Sequence, residues 1–230
     1  MQFSLKLDET SLMALIRERL LAMFGPQRDA GRLDPLSQLV NAMLSTRTQD
    51  IVSLSAFERL AQHYSSWDAL ANAPSAAIEP IIRPVTYAEQ KAVHLPQALR
   101  KIRARQGGLD LEFLADWDEE MALQWLRDLP GVGPKVAATV LNFSSLRRRV
   151  FAVDTHLLRI GARFGLLAFD IDDYDEGHDT YARLLPDEWD ADDLYEMHWL
   201  MKYLGQQICT HAAPACSRCP LRDLCPGRTA

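Results

Sequence analysis

The chain has 230 residues, 48% of them apolar, and a formal net charge of −6. That length can bury one good core or two modest ones. No apolar run approaches the ~18 residues a membrane span needs, and Asp8 and Glu9 stand where a secretion signal would carry positive charge, so the sequence predicts a cytoplasmic protein with no membrane partner.

The negative charge is concentrated. The window 170–193 holds eleven acidic residues against Arg183 alone, a balance of −10, which leaves +4 for the rest of the chain. Local field matters more than the total, so this acidity excludes no polyanionic partner. Like charge predicts instead that the window is a solvated face turned away from one.

Along the chain, Leu12, Leu15, Ile16 and Leu20 mark one face of a first helix ending near Gly25-Pro26. A second begins after Asp34, with Pro35 in its first turn, and carries Leu36, Leu39, Val40, Met43 and Leu44. Helical spacing continues over 50–64, 66–72, 75–82, 87–105, 119–128, 134–145, 154–164, 175–185 and 191–207. No alternating run bounded by turns stands out, so the predicted class is all-α. Residues 147–153, opening with Arg147-Arg148-Arg149, read as extended, with the arginines as a basic turn that greets phosphate or a solvated one.

Leu129-Pro130-Gly131-Val132-Gly133-Pro134-Lys135 separates two helices by a very short turn, a helix-hairpin-helix signature. Glycines permit positive φ and let a phosphate approach with no Cβ in the way. The N–H groups opening the second helix then face that phosphate, with Val132 as an apolar plug at the tip. The same pattern serves a structural corner between helices without DNA contact.

Lys135 sits at the start of that second helix. A lysine with a pKa near 10.4 is neutral in only about one molecule per thousand at pH 7.4. Burial and the positive helix terminus both disfavour the ammonium form, which is how an amine nucleophile is made. Nineteen residues on comes Val153-Asp154-Thr155-His156. A helix over 134–145 carries the chain ~18 Å away and an extended return covers ~16 Å, so Asp154 can come back beside Lys135. Asp154 equally suits a helix N-cap, and His156 suits packing or hydrogen bonding.

All four cysteines lie in one cluster near the C-terminus, Cys209, Cys216, Cys219 and Cys225, spaced C-x6-C-x2-C-x5-C. In a reducing compartment such a cluster binds metal rather than forming disulfides. Spacing alone leaves iron–sulfur and zinc open.

Taken together, the L-P-G-V-G-x-K hairpin, the V-D-T-H segment and the cysteine cluster resemble the endonuclease III family of DNA repair glycosylases, from about residue 9 to Cys225. The resemblance implies two helical lobes: a six-helix barrel with the hairpin over 36–146, and a discontinuous lobe of 1–35 and 147–230 holding a [4Fe–4S] cluster on the four cysteines. It implies that Lys135 and Asp154 are the catalytic pair and that Gly131, Val132 and Gly133 contact DNA. The implied activity is a bifunctional DNA N-glycosylase and abasic-site lyase for oxidised pyrimidines. Its implied partner is double-stranded DNA containing damaged bases or abasic sites, bound by a monomer in the cytoplasm or nucleoid.

Three positions depart from the family pattern. Arg47 stands where members carry a glutamine that fills the hole left by a flipped base, and Thr86 where they carry a leucine wedge. The loop 210–215, usually basic, has no lysine or arginine. Two alternatives therefore remain: a monofunctional glycosylase for alkylated or mismatched bases, and a non-catalytic iron–sulfur DNA-binding protein.

Overall fold

The computed structural model describes residues 9–28, 31–168 and 174–227. Among these, eleven α-helices and two 3-10 turns form, with no strand. The chain divides into two compact units, Gly31–Arg148 and Met1–Ala30 with Arg149–Ala230.

The first unit contains α2 (Pro35–Ser45), α3 (Asp50–His63), α4 (Trp67–Asn72), α5 (Ser75–Ile82), α6 (Ala88–Gln106), α7 (Glu119–Arg127) and α8 (Pro134–Phe143). Nine of the eleven residues of α2 are buried, as are seven of the ten in α8. A helix apolar on most of its sides belongs inside a bundle, and these two pack on each other at its centre. α3 and α6 flank α2, and α7 covers α8. Asp34 starts α2 by accepting hydrogen bonds from Leu36 N at 3.0 Å and Ser37 N at 2.9 Å, with Pro35 in the first turn. The Ser37 hydroxyl, buried in α2, is satisfied by Trp67 Nε1 at 2.9 Å.

The second unit contains α1 (Glu9–Phe24), α9 (Thr155–Phe164), α10 (Tyr174–Leu184) and α11 (Ala191–Gln207). Met13, Ile16 and Leu20 of α1 pack into one core with Leu157 and Ile160 of α9 and Met197, Leu200 and Leu204 of α11. Met13, absent from the sequence-read face, is as fully buried as Leu20, while Leu15 is only half-buried. Arg17 joins α1 to α11 through Asp193 at 2.6 Å and the buried Glu196 at 2.5 Å. The acidic window opens helices here: Asp175 and Glu176 lie in the first turn of α10, and Asp190 with Asp193 makes a capping box on α11. Asp170, Asp172 and Asp173 of that window lie outside the described residues.

Candidate active site and cysteine centre

In the first unit, the hairpin turns at Gly131, whose φ of +77° favours glycine. A Cβ there would also meet His94 Cβ of α6 at 2.9 Å. Gly133 differs: its backbone is extended, and a Cβ would meet nothing within 4 Å. Val132 is buried rather than protruding at the tip, 7% exposed, and its N–H donates to Leu129 O at 3.1 Å. α2, α7, α9 and α11 each open on an aspartate that accepts from the first-turn N–H groups, whereas α8 opens on Gly133 with no side-chain cap. With glycine as its N-cap residue, its first turn receives no capping carboxylate from that position, unlike those four helices.

Lys135 follows in that first turn, half-buried, and its Nζ donates to Ser45 Oγ at 3.0 Å. Ser45 closes α2 and donates its own proton to Ala42 O at 2.9 Å. A second amine serves the same helix end. Lys91 of α6, 7% exposed, donates to Leu44 O at 2.8 Å, Thr46 O at 2.7 Å and Thr48 Oγ1 at 3.3 Å. Burial, and then the neighbouring Lys135 charge, push the Lys91 ammonium down to about 8.

Arg47 and Thr86 are both exposed and lie on loops tied together by Thr48, whose hydroxyl accepts from Thr86 N at 3.2 Å. Arg47 has φ of 53° and Tyr87, at the entry to α6, 59°, so both loops hold non-glycine residues in the left-handed region. The basic turn is occupied locally. Arg148 donates to Leu114 O and Ala115 O, and Arg149 to Trp189 O and Pro186 O.

In the second unit, Asp154 caps α9: Oδ1 accepts from His156 N at 2.8 Å and Leu157 N at 3.0 Å. Burial alone would raise its pKa, but His198, His156, the Leu157 N–H and Lys202 outweigh burial and hold the carboxylate below its ordinary range. His156 is pushed down, chiefly by burial, and its Nδ1 lies 2.9 Å from Arg159 Nη2. Arg159 also donates to Cys209 O at 3.0 Å and to Gly205 O at 2.9 Å, so α9 links the capping aspartate to the first cysteine.

One turn later Arg163 reaches Cys209 Sγ at 3.1 Å, Thr210 O at 2.8 Å and His211 O at 2.9 Å. Its own carbonyl accepts from Gly227 N at 3.1 Å. Cys209, Cys216, Cys219 and Cys225 are half-buried free thiols, and all four line one cavity of about 30 Å³ with Phe164, Leu204 and Ile208. Among the described residues no three His, Cys, Asp or Glu side chains gather closely enough to hold a single metal ion. Burial pushes the Cys219 thiol up, and the three other sulfurs add to the shift. Four thiolates therefore need a positive centre in their midst to ionise together. A metal ion or an iron–sulfur cluster would supply one, and four thiols are a donor set of that chemistry.

Ser45 and Lys91 are absent from the sequence-read site. Ser45 meets Lys135 across 90 residues, and no local pattern encodes that contact.

A protein-family model described as HhH-GPD superfamily base excision DNA repair protein matches residues 40–180, more than half of the chain. Endonuclease III-like protein 1 of Gallus gallus is 31% identical over 189 residues, covering 82% of this chain and 62% of that protein, so the chain spans less than two thirds of its length. Thymine-DNA glycosylase of Aeropyrum pernix is 29% identical over 195 residues, covering 84% of this chain and 82% of that one. A solved structure of a trapped endonuclease III–DNA covalent intermediate superposes with a TM-score of 0.78 over 96% of this chain and 97% of that chain, at 23% identity, a likeness of fold. With its uncapped glycine hairpin and its cysteine centre already in view, the chain belongs to the HhH-GPD superfamily of base excision DNA repair proteins and is endonuclease III-like.

Proposed function

We propose that this protein is a DNA N-glycosylase with abasic-site lyase activity, acting on oxidised pyrimidines in duplex DNA. The observation that carries the reading is the Lys135 amine, half-buried in the first turn of an uncapped helix and held at 3.0 Å from Ser45 Oγ. Duplex DNA binds through phosphates facing the hairpin, where Gly131, Val132 and Gly133 shape the backbone and the α8 N–H groups face the anion. Arg47 and Thr86, on loops tied through Thr48, meet the bases around the extruded nucleotide.

In the reaction, the lone pair of neutral Lys135 attacks C1′ of the damaged nucleotide. The C1′–N bond breaks, its electrons leave with the base, and the base takes up a proton. Loss of the remaining amine proton and ring opening give the imine. Removal of a C2′ proton then expels the 3′ phosphate oxygen by β-elimination, and water releases the lysine. Asp154, ionised, is assigned to stabilise positive charge developing at C1′ and to pass protons.

Cys209, Cys216, Cys219 and Cys225 would hold a [4Fe–4S] cluster. Its part is architectural: it fixes the C-terminal segment against α9 and α11.

Sodium borohydride tests the reading, because it reduces the imine to a permanent link. Wild-type protein should become covalently attached to an abasic duplex, and Lys135→Gln should lose that link while still binding DNA. Absence of a wild-type adduct on every abasic duplex tried removes the lyase activity. The likeness to a thymine-DNA glycosylase, together with Arg47 and Thr86 at the gap-filling positions, favours as second reading a monofunctional glycosylase for mismatched or alkylated bases. Base release without strand nicking selects it.

A further inference from the structure

Two primary amines converge on the C-terminal end of α2. Lys91 Nζ binds the carbonyls of Leu44 and Thr46, the residues on either side of Ser45, and the Ser45 hydroxyl binds Lys135 Nζ. Because Ser45 gives its proton to Ala42 O, it offers Lys135 a lone pair. Lysine is among the residues least often buried, yet Lys91 is 7% exposed with three oxygen partners. The end of α2 carries partial negative charge from its carbonyls, which makes room for cations there.

α3, packed on α2, brings Asp50 in its first turn, with Glu58, Arg59 and His63 further along. α2 has no charged side chain. α4 and α5, packed on α6, bring Asp68 and Glu79, and Asp68 is engaged with Arg103 at 3.2 Å. α7, packed on α8, brings Glu119, Glu120 and Arg127. After burial, the Lys135 charge lowers Lys91, and the interaction of two like charges is mutual.

We propose that Lys91 is a positioning residue for the nucleophile: with Ser45 it fixes where the Lys135 amine sits, and its positive charge promotes departure of the Lys135 proton to solvent. The inference rests on the lyase reading of Lys135 and adds a reason for its reactivity that the helix terminus alone does not supply. Lys91 touches no substrate and acts through Ser45 and the field at Lys135.

The experiment is borohydride trapping on an abasic duplex, followed from pH 5 to pH 10, for the wild type, Lys91→Met, Lys91→Gln, Lys91→Arg and Ser45→Ala. In the wild type, the amine limb of the profile should have its midpoint well below the ~10.4 of an ordinary lysine. Lys91→Met and Lys91→Gln should move that midpoint up by about one pH unit, a loss of about tenfold in neutral amine at pH 7. Lys91→Arg, charged across the whole range, should keep the midpoint at or below that of the wild type, with a lower plateau. Ser45→Ala should lower the rate across the whole profile without moving the midpoint. Lys91→Gln retains donors for the two carbonyls, so it carries the comparison if circular dichroism shows Lys91→Met unfolded. A wild-type midpoint near 10.4, or unmoved midpoints in folded neutral variants, overturns the proposal. Failure of the wild type to form any adduct overturns the lyase reading itself, so the two failures are distinguishable.

Discussion

Asp154 gives one carboxylate two demands. As cap of α9 it must accept hydrogen bonds, and as the proposed electrostatic partner of a cationic sugar it must stay ionised. Both bonds to α9 end on Oδ1, so Oδ2 lies outside the cap. Asparagine caps a helix about as well as aspartate but carries no charge. Asp154→Asn should therefore unfold within about 1 kcal/mol of the wild type in urea at pH 7 while base release falls about 100-fold, and Asp154→Ala should lose ~0.5–2 kcal/mol as well. The sign of the pH dependence follows from the depressed folded pKa. The charge stabilises the fold fully above the ordinary carboxylate value near 3.9 and stops doing so as pH falls through the lower folded value. Urea unfolding of wild type and Asp154→Asn at pH 7 and pH 3 should show any advantage of the wild type shrinking towards the acid end. An equal loss of stability and activity in Asp154→Asn would leave the cap as the residue's whole role.

At the scale of elements, the two hairpin glycines separate a folding requirement from a binding one. Gly131 combines a left-handed backbone with a His94 contact that a Cβ would crowd, so Gly131→Ala should cost about 1–3 kcal/mol of stability. Gly133 has neither constraint, and Gly133→Ala should fold like the wild type. Its methyl group would stand before the uncapped start of α8, so duplex affinity should still fall, by about tenfold in a fluorescence anisotropy titration. Unchanged affinity in Gly133→Ala would place the phosphate elsewhere. The same contrast marks what the sequence could disclose. Helix limits were legible to within about two residues, because Asp34, Asp154, Gly107 and Gly165 terminate helices by local chemistry. The partners of Lys91 lie 43 to 47 residues away and those of Arg149 up to 40, contacts that only packing decides. The motif could therefore flag Lys135 but not the serine that holds it, and it gave no sign that Val132 turns inward.

At the scale of the whole molecule, a formal charge of −6 coexists with a helix start that carries no aspartate cap, because the acids of 174–193 largely open α10 and α11 in one unit, while α8 belongs to the other. The segment after α11 is where the fold has least to stand on. From Ile208 to Gly227 it forms one three-residue 3-10 turn and contributes Leu221 as a fully buried apolar side chain, with Cys209, Cys219 and Cys225 packed beside the same core. It is held further by Arg159 and Arg163 on the Cys209 loop, by the Gly227 N–H on Arg163 O, and by Arg19 of α1, which pairs with Asp223 and donates to Pro220 O at 3.2 Å. A cluster on the four cysteines would add a metal staple to a segment with little regular structure of its own. Purified protein should accordingly be brown, contain about four irons per chain, and lose both colour and iron in Cys219→Ala. In that variant, limited proteolysis should cut first within 208–227, while peptides from 31–148 resist as in the wild type. A colourless wild type holding one zinc, or a Cys219→Ala protein cut no faster than the wild type in 208–227, would mean that the four thiols organise something other than an iron–sulfur cluster.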